Sequence, residues 1–278
     1  MAARAQPLGP AVRLGGGLAL GLVAALAFGT LAALVLRAEP GRGLGPQDWA
    51  AIRFTLTQAA LSALLSAALA VPAARALARR RFPGRGALVA VLGAPFLLPA
   101  IVAVFGLVAV WGRGGLVSGW LAPLGLGPLD IYGLTGVVLA HVFFNLPLVT
   151  RLLLQGWATI PAERFRLAAQ LGLGPRDVFL RIEAPMLRAV LPGAATLVFL
   201  LCMTSFAVAL TLGGGPRATT IELAIYQAIR FDFDLARAAT LALIQFALCG
   251  LAAGGALACA ADAGFGAALG GPVRRWDA

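Results

Sequence analysis

The chain has 278 residues, of which 60% are hydrophobic and only 12% are charged, and its formal net charge is +11. A soluble domain of this length is about half apolar and about one quarter charged, so a soluble fold is excluded. The apolar residues form long runs with few charges, which is typical of helices in a lipid bilayer. The arginines stand in short loops between these runs, and this distribution argues against a nucleic-acid partner.

All 22 basic residues are arginine. Without lysine the chain has no Walker A phosphate loop and no lysine nucleophile. The single histidine, His141, has no nucleophile near it in the sequence, so a membrane enzyme has little on which to build a catalytic set. We therefore predict no catalytic residue, no metal site and no cofactor.

Six apolar runs predict an all-α bundle of about six membrane-spanning helices. Pro95 and Pro99 interrupt the third run. A cytoplasmic N-terminus places 15 of the 22 arginines on the cytoplasmic side, so the positive-inside rule predicts that both termini are cytoplasmic. The predicted spans cover residues 14–36, 55–77, 87–111, 134–154, 194–212 and 236–261.

Several polar residues lie within the predicted spans. His141 and Asn145 are one helical turn apart, just before Pro147, and Thr204 and Ser205 lie in the fifth span. Polar groups in a membrane are costly and usually face the bundle interior or a transport path. We predict that these residues line a substrate path, with hydrogen bonding between helices as the alternative. The same alternatives hold for Gln58 and Gln245.

The segment 213–237 predicts a short surface or partly re-entrant helix before the last span. Thr219 or Thr220 is a suitable N-cap, and Glu222 lies in the first turn. Asp232 and Asp234, which alternate with Phe231 and Phe233, either attract a cation at the outer mouth or are solvated loop charges. The apolar stripe of the helix is formed by Ile221, Ala224, Ile225 and Ala228.

The predicted cytoplasmic loop, residues 156–192, contains a second short helix. Pro161 suits its first turn and Glu163 lies near the positive end of its dipole. Gly172 and Gly174 end it, and Pro175 prevents its continuation. Such a helix presents an apolar ridge that either enters a groove of a partner protein or lies on the membrane surface.

The segment AAQLGLGPRDVFLRIEAPML resembles the EAA loop of ABC-importer permeases. The resemblance implies that the loop is a coupling helix that docks on a separate ATP-binding subunit. In this chain Arg166 stands at the glutamate position and Leu167 at the first alanine position of the motif, whereas Ala168, Gly172 and Pro185 match it. The implied coupling residues are Phe165, Arg166, Ala168, Ala169, Leu171 and Gly172.

Further blocks are similar to the permeases of thiamine importers, namely LSALLS, RRRFPGR, HVFFNLPLVTRLLLQ and LTLGGGPRATTIELAIYQAI. This resemblance implies a type I importer permease fold in the inner membrane. It also implies a periplasmic thiamine-binding protein as partner, with thiamine and its phosphate esters as substrates. Fused members of this family carry two EAA loops, and this chain resembles their N-terminal half. A second permease half is therefore expected, as a separate chain or as a second copy.

The resemblance also implies a division of the chain. Residues 1–53 hold the tail, the first span and a periplasmic loop, 54–262 hold the permease domain, and 263–278 form a cytoplasmic tail or a truncated linker. Other substrates remain open: a ferric iron permease favours Tyr, His and carboxylate ligands, but this chain has two Tyr and one His. A fragment or an assembly subunit without transport of its own is the other alternative.

Overall fold

The computed structural model describes residues 10–37, 44–213, 215 and 218–262. These residues form helices joined by short connections and contain no strand, which confirms the all-α prediction. The predicted tail 263–278 lies outside the described residues. The helices are α1 (Pro10–Arg37), α2 (Pro46–Arg79), α3 (Arg85–Val91), α4 (Ala94–Leu97), α5 (Ala100–Trp111), α6 (Leu116–Leu121), α7 (Leu134–Ala158), α8 (Ala162–Gln170), α9 (Pro175–Val178), α10 (Ala184–Met203), α11 (Phe206–Leu212), α12 (Ile221–Arg230) and α13 (Leu235–Asp262), with a 3₁₀ turn at Ala122–Leu124 and a π-helical turn at Phe179–Glu183.

Six helical segments in the described part of the chain are long and apolar enough to cross a membrane. The number of spans agrees with the prediction from sequence, and four of the six lie close to the predicted positions. These segments are Leu14–Arg37, Pro46–Arg79, Ala100–Leu124, Leu134–Ala158, Pro175–Met203 and Leu235–Ala258.

The predicted third span, residues 87–111, is wrong in position. Helix α3 ends at Val91, Pro95 lies in the first turn of α4, and Pro99 is the N-cap of α5. Each proline lacks the N–H that a continuing helix requires, so a new helix begins at each one, α4 at Ala94 and α5 at Ala100. The apolar segment long enough to span therefore begins at Ala100 and runs through α6.

The predicted fifth span, residues 194–212, is also wrong. The helical run begins at Pro175, passes through the π-helical turn and ends at Met203. Thr204 and Ser205 then leave the helical conformation, and α11 is a separate helix. The charged residues before 194 predict a loop, but Glu183 is neutralised by ion pairs and is buried inside the fold.

Helix α2 lies at the centre of the bundle, between α7 and α10. Its buried face is largely alanine, and small side chains of this kind allow helix backbones to approach closely in lipid. The predicted domain boundary at residues 53/54 falls inside this helix. The shared core includes Ala59, Ala63, Ala70 and Ala74 of α2, Val149, Leu153 and Trp157 of α7, and Leu187, Ala194 and Val198 of α10.

An ionic cluster fixes the N-terminal end of α2 to the start of α13. Buried Asp48 accepts hydrogen bonds from Nε and Nη2 of Arg237, at 3.0 and 2.8 Å. Nη1 of Arg237 also donates to Asp232, at 2.9 Å. Asp234 accepts a hydrogen bond from the backbone N–H of Arg237. The two aspartates considered as a cation-attracting pair therefore both contact Arg237 in the fold.

Candidate coupling surface and transport path

Helix α8 forms as the sequence predicts. It follows Pro161, carries Glu163 in its first turn, and ends at Gln170, two residues before Gly172, which has a φ of +64°. The backbone N–H groups of Gly172 and Leu173 donate to the carbonyls of Ala169 and Ala168, at 3.1 and 2.9 Å. Glycine adopts positive φ without strain, so Gly172 lets the chain turn sharply and satisfy the last carbonyls of the helix.

The predicted coupling residues lie on two opposite faces of α8, one buried and one exposed. Ala168, only 3% exposed, packs on Val178 and Ile182, and half-buried Phe165 joins this small core. Leu171 is 66% exposed, as part of an outer ridge that also holds Leu167, which is 56% exposed. Leu167 is not among the predicted coupling residues, although its side chain lies one turn before Leu171. The remaining predicted residues, Arg166, Ala169 and Gly172, are exposed with this ridge.

Arg166, at the position of the motif's glutamate, has an intrahelical partner. Its Nη1 lies 3.8 Å from Oε1 of Glu163, and both side chains are largely exposed to solvent. An exposed ion pair of this kind contributes little to stability. Arg166 therefore remains available to a partner protein.

A buried carboxylate connects the loop to α2. Glu183, in the π-helical turn, accepts hydrogen bonds from Nε of Arg75 at 2.6 Å and from Nη1 of Arg79 at 2.8 Å. The Arg75 guanidinium also lies over the ring of Phe179, and that of Arg79 lies over the ring of Phe165 on α8, at 5.0 and 5.5 Å from the ring centroids. We call Arg75, Arg79 and Glu183 the arginine clamp. It joins α2 to the π-helical turn and to α8 through charge and cation–π contacts.

The arginine clamp is not predicted from the sequence. A signal was present, because Arg75 and Arg79 stand one helical turn apart and Glu183 is a carboxylate in a helix-forming, largely apolar segment. The partnership joins residues 108 and 104 positions apart. Spacing in the sequence gives no information on which distant arginine a carboxylate will meet.

Three of the four polar residues predicted for the path, His141, Asn145 and Ser205, fall into a largely buried cluster between α2, α7 and the α10–α11 break. Nε2 of His141 lies 2.6 Å from Oγ of Ser205, and Nδ1 lies 3.3 Å from Oγ of Ser62. Nδ2 of Asn145 donates to the carbonyl of His141 at 2.9 Å and lies 3.4 Å from Sγ of Cys202. This geometry favours the hydrogen-bonding alternative for His141 and Asn145, and their role in a path stays a prediction.

Two amide side chains satisfy the backbone at the α10–α11 break. Nε2 of Gln58 donates to the carbonyl of Cys202 at 2.9 Å, and Nε2 of Gln245 donates to that of Met203 at 3.3 Å. A helix can break within a membrane only where the freed backbone groups find other partners. Thr204, at the break, is exposed and lines a cavity beside α12 and α13.

Helix α12 confirms the predicted N-cap. Thr220 Oγ1 accepts a hydrogen bond from the N–H of Leu223 at 3.3 Å, and Glu222 lies in the first turn. The N–H of Ile221 donates to Oγ1 of Thr55 on α2 at 2.9 Å. The helix packs with its apolar stripe against α2 and α13. Glu222 is thereby placed beside the break.

The fold is similar to that of solved transporters. A bacterial ABC transporter involved in the import of the acidic polysaccharide alginate has a chain that superposes with a TM-score of 0.73, at 16% identity, over 90% of this chain and 94% of that one. The same type of transporter in complex with an alginate pentasaccharide-bound periplasmic protein gives a TM-score of 0.74 at 15% identity, over 89% and 92% of the two chains. At such identity the likeness shows the fold alone.

Curated relatives are much more similar in sequence, although no protein-family model matches the chain. The molybdenum transport system permease protein ModB of Azotobacter vinelandii is 35% identical over 182 residues, which are 66% of this chain and 80% of that protein. The chain belongs to the ABC-importer permease family. The thiamine transport system permease protein ThiP of Brucella abortus (strain 2308) is 51% identical over 241 residues, and that of Escherichia coli K12 is 50% identical over 254.

The matches to the two ThiP proteins cover 84% and 90% of this permease chain. They cover only 44% and 47% of the relatives, so the chain spans a little less than half of their length. The resemblance to thiamine importer permeases seen in the sequence is confirmed, as are the type I permease fold and a multi-pass membrane protein.

Proposed function

We propose that this chain is a permease subunit of an ATP-driven importer that moves thiamine and its phosphate esters across the inner membrane. The observation that carries the proposal is the exposed ridge of Leu167 and Leu171 on α8, a helix that the arginine clamp connects to the central helix of the bundle. High similarity to thiamine transport permeases over most of this chain supports the choice of substrate.

Coupling follows from this arrangement. The ridge of α8 enters a groove of a separate ATP-binding subunit, which carries out the ATP hydrolysis. When that subunit closes on ATP, α8 moves with it, and Phe165 and the arginine clamp pass the movement to α2. ATP drives transport because it binds one conformation of the assembly more tightly than the other. The permease binds and releases solute without covalent chemistry.

The proposal includes three protein partners and an orientation. Besides the ATP-binding subunit, a periplasmic thiamine-binding protein delivers the substrate, and a second permease unit, as a separate chain or a second copy, completes the pore. The excess of arginine near α8 and the arginine clamp supports a cytoplasmic location for that end of the bundle, with both termini on the same side.

A chimaeric permease tests the substrate. The chain replaces the matched part of the E. coli relative, and uptake of labelled thiamine is measured in cells that cannot make or import it. The control carries the double substitution Leu167→Asp and Leu171→Asp, which removes the ridge. Thiamine uptake by the chimaera and its loss in the control support the proposal. Uptake of ferric iron or another solute, without uptake of thiamine, contradicts the proposed substrate. Thiamine uptake that survives the double substitution contradicts the role of the α8 ridge in coupling.

A further inference from the structure

A cavity of about 680 Å³ lies between the α10–α11 break, α12 and α13. This volume is in the range of cavities that hold small organic molecules. Most of its lining is apolar or aromatic, and the polar groups are few. The lining residues include Thr204, Phe206, Glu222, Tyr226, Gln245 and Phe246.

The carboxylate of Glu222 is the charged group of this cavity. Its Oε1 lies 3.3 Å from Nε2 of Gln245, whereas Oε2 is shielded from water and makes no hydrogen bond. The backbone N–H of Phe206 lies nearby without forming a hydrogen bond of normal geometry. No arginine of the described segments forms an ion pair with it, in contrast to Glu183 and Asp48. A charge shielded in this way is costly unless a counter-charge arrives.

Aromatic rings stand next to this carboxylate. Tyr226, one turn after Glu222 on α12, packs edge-to-face on Phe206 at 5.2 Å between centroids, and Phe231 packs on Tyr226 at 6.0 Å. Edge-to-face packing leaves part of each ring face uncovered, and Tyr226 and Phe231 are exposed. An aromatic face attracts organic cations, and the attraction grows where water is excluded.

The position of the cavity connects it to the transport path. Gln245 contacts both Glu222 and the carbonyl of Met203, so one side chain joins the carboxylate to the broken helix. Irregular backbone at membrane depth is found where it is buried in protein or lines a cavity, and here Thr204 of the break lines this one. Bound solute would therefore lie against the broken helix.

We propose that this cavity is a binding site for a small aromatic organic cation, with Glu222 as the counter-charge and Phe206 and Tyr226 as aromatic contacts. The inference rests on the proposed function, because thiamine joins a cationic thiazolium ring to an aminopyrimidine ring and so fits both features. It assigns recognition to α12 and the break and gives His141 and Asn145 a supporting role.

Cys249 provides a readout that does not depend on transport, because it is partly buried and lines the same cavity. The full chain in phosphatidylglycerol nanodiscs is treated with a methanethiosulfonate reagent, and modification of Cys249 is followed by peptide mass spectrometry. The protecting ligands are thiamine and deazathiamine, the neutral analogue in which carbon replaces the quaternary nitrogen. Thiamine should protect at a concentration about tenfold lower than deazathiamine.

Variants of Glu222 and Tyr226 distinguish the contribution of charge to ligand binding from that of the shape of the cavity. Glu222→Gln should remove most of the difference between the two ligands, because only the attraction of the aromatic rings for the cation remains. Tyr226→Leu should weaken protection by both, and Tyr226→Phe should keep it. Asp130→Asn, which makes the same charge change in an exposed loop, is the matched control and should behave as wild type. Equal protection by both ligands in the wild type, or unchanged discrimination in Glu222→Gln, overturns the proposal.

Two further measurements distinguish this site from the proposed function. If thiamine protects Cys249 but the chimaera does not import it, the site stands and the proposed function fails. If the chimaera imports thiamine at the wild-type rate with Glu222→Gln and with Tyr226→Leu, the site fails and the proposed function stands. Protection by phosphatidylcholine nanodiscs without thiamine would assign the cavity to a lipid headgroup and would also overturn the proposal.

Discussion

Oε2 of Glu183 lies 2.6 Å from Nε of Arg75, although Glu183 is completely buried and the two residues are 108 positions apart. The opposite carboxylate oxygen meets Arg79 at 2.8 Å, so each oxygen has its own guanidinium. Burial of a carboxylate is tolerated only because both oxygens are paired. The arginine clamp therefore connects the coupling loop to the bundle through one acidic side chain.

Glu183→Gln should destabilise the protein strongly. The substitution leaves Arg75 and Arg79, whose side chains are 35% and 41% exposed, facing a neutral group. Solvent screens the two arginines, so the loss falls below the cost of breaking a fully buried ion pair and is about 1.5–3 kcal/mol, as for hydrogen bonds to charged groups. Thermal unfolding of the purified protein, followed by tryptophan fluorescence, measures the effect. Asp130→Asn, which removes the partner of Arg113 in an exposed pair, is the control and should change the midpoint little. Equal midpoints for the two variants would contradict a structural role for the clamp.

Leu167→Asp together with Leu171→Asp should release the ATP-binding subunit. Burial of an exposed leucine side chain in a groove contributes about 1.5–3 kcal/mol, so loss of both should reduce co-purification by about tenfold or more. Leu126→Asp is matched in exposure, at 55%, and lies in the connection that precedes α7, whereas α8 follows the other end of α7, so no effect is expected. Retention of the subunit by the double variant would exclude the ridge as its docking surface.

Gly172→Val should weaken coupling, whereas Gly172→Asn should be tolerated. No atom lies within 4 Å of a side chain added at this position, so the constraint is the positive φ and not crowding. Asparagine enters this conformation much more readily than a β-branched residue, for which the cost exceeds about 1 kcal/mol. Limited proteolysis of the loop and co-purification of the ATP-binding subunit report the effect. Similar behaviour of the two variants would show that the turn is not under conformational constraint.

Ser205→Ala should reduce stability more than Thr204→Val does. Oγ of Ser205 forms a hydrogen bond with Nε2 of buried His141, and a buried polar group that loses its partner costs about 1–3 kcal/mol. The hydroxyl of Thr204 donates only to carbonyls of its own helix. Chemical or thermal unfolding compares the two variants. Uptake by the chimaera that carries Ser205→Ala then decides between the two alternatives for the hydrogen-bonded pair of His141 and Ser205. Loss of transport without loss of stability would show that the pair lines the path and would contradict the purely structural role that its geometry favours.

The sequence predicted those features that depend on local rules. The α8 helix with its glycine end, the Thr220 N-cap of α12 and the number of spans follow from spacing, capping and hydropathy, and all three are present. The third and fifth spans were misplaced because their limits depend on proline positions and on the neutralisation of Glu183 by distant arginines.

In the candidate sites too, local features were predictable from the sequence and contacts between distant residues were not. The sequence indicated which face of the loop carries apolar residues, but not that Ala168 turns inward while Leu167 faces outward. Proximity of Glu222 to Tyr226 follows from one turn of helix. Proximity of both to Phe206 and Gln245 depends on the packing of three helices, which no local pattern contains.

Helix α2 has ionic attachments at both ends, to Arg237 near its first turn and to Glu183 near its last. Its 34 residues correspond to a rod about 50 Å long, and Pro72, the proline inside it, lies about two turns from the end. A tilt of about 5° in such a rod moves the far end by about 4 Å. Under the proposed function, a tilt of α2 that starts at α8 would move the other end of the helix, at the opposite membrane surface, by about this distance, and α2 would then act as a lever across the bilayer.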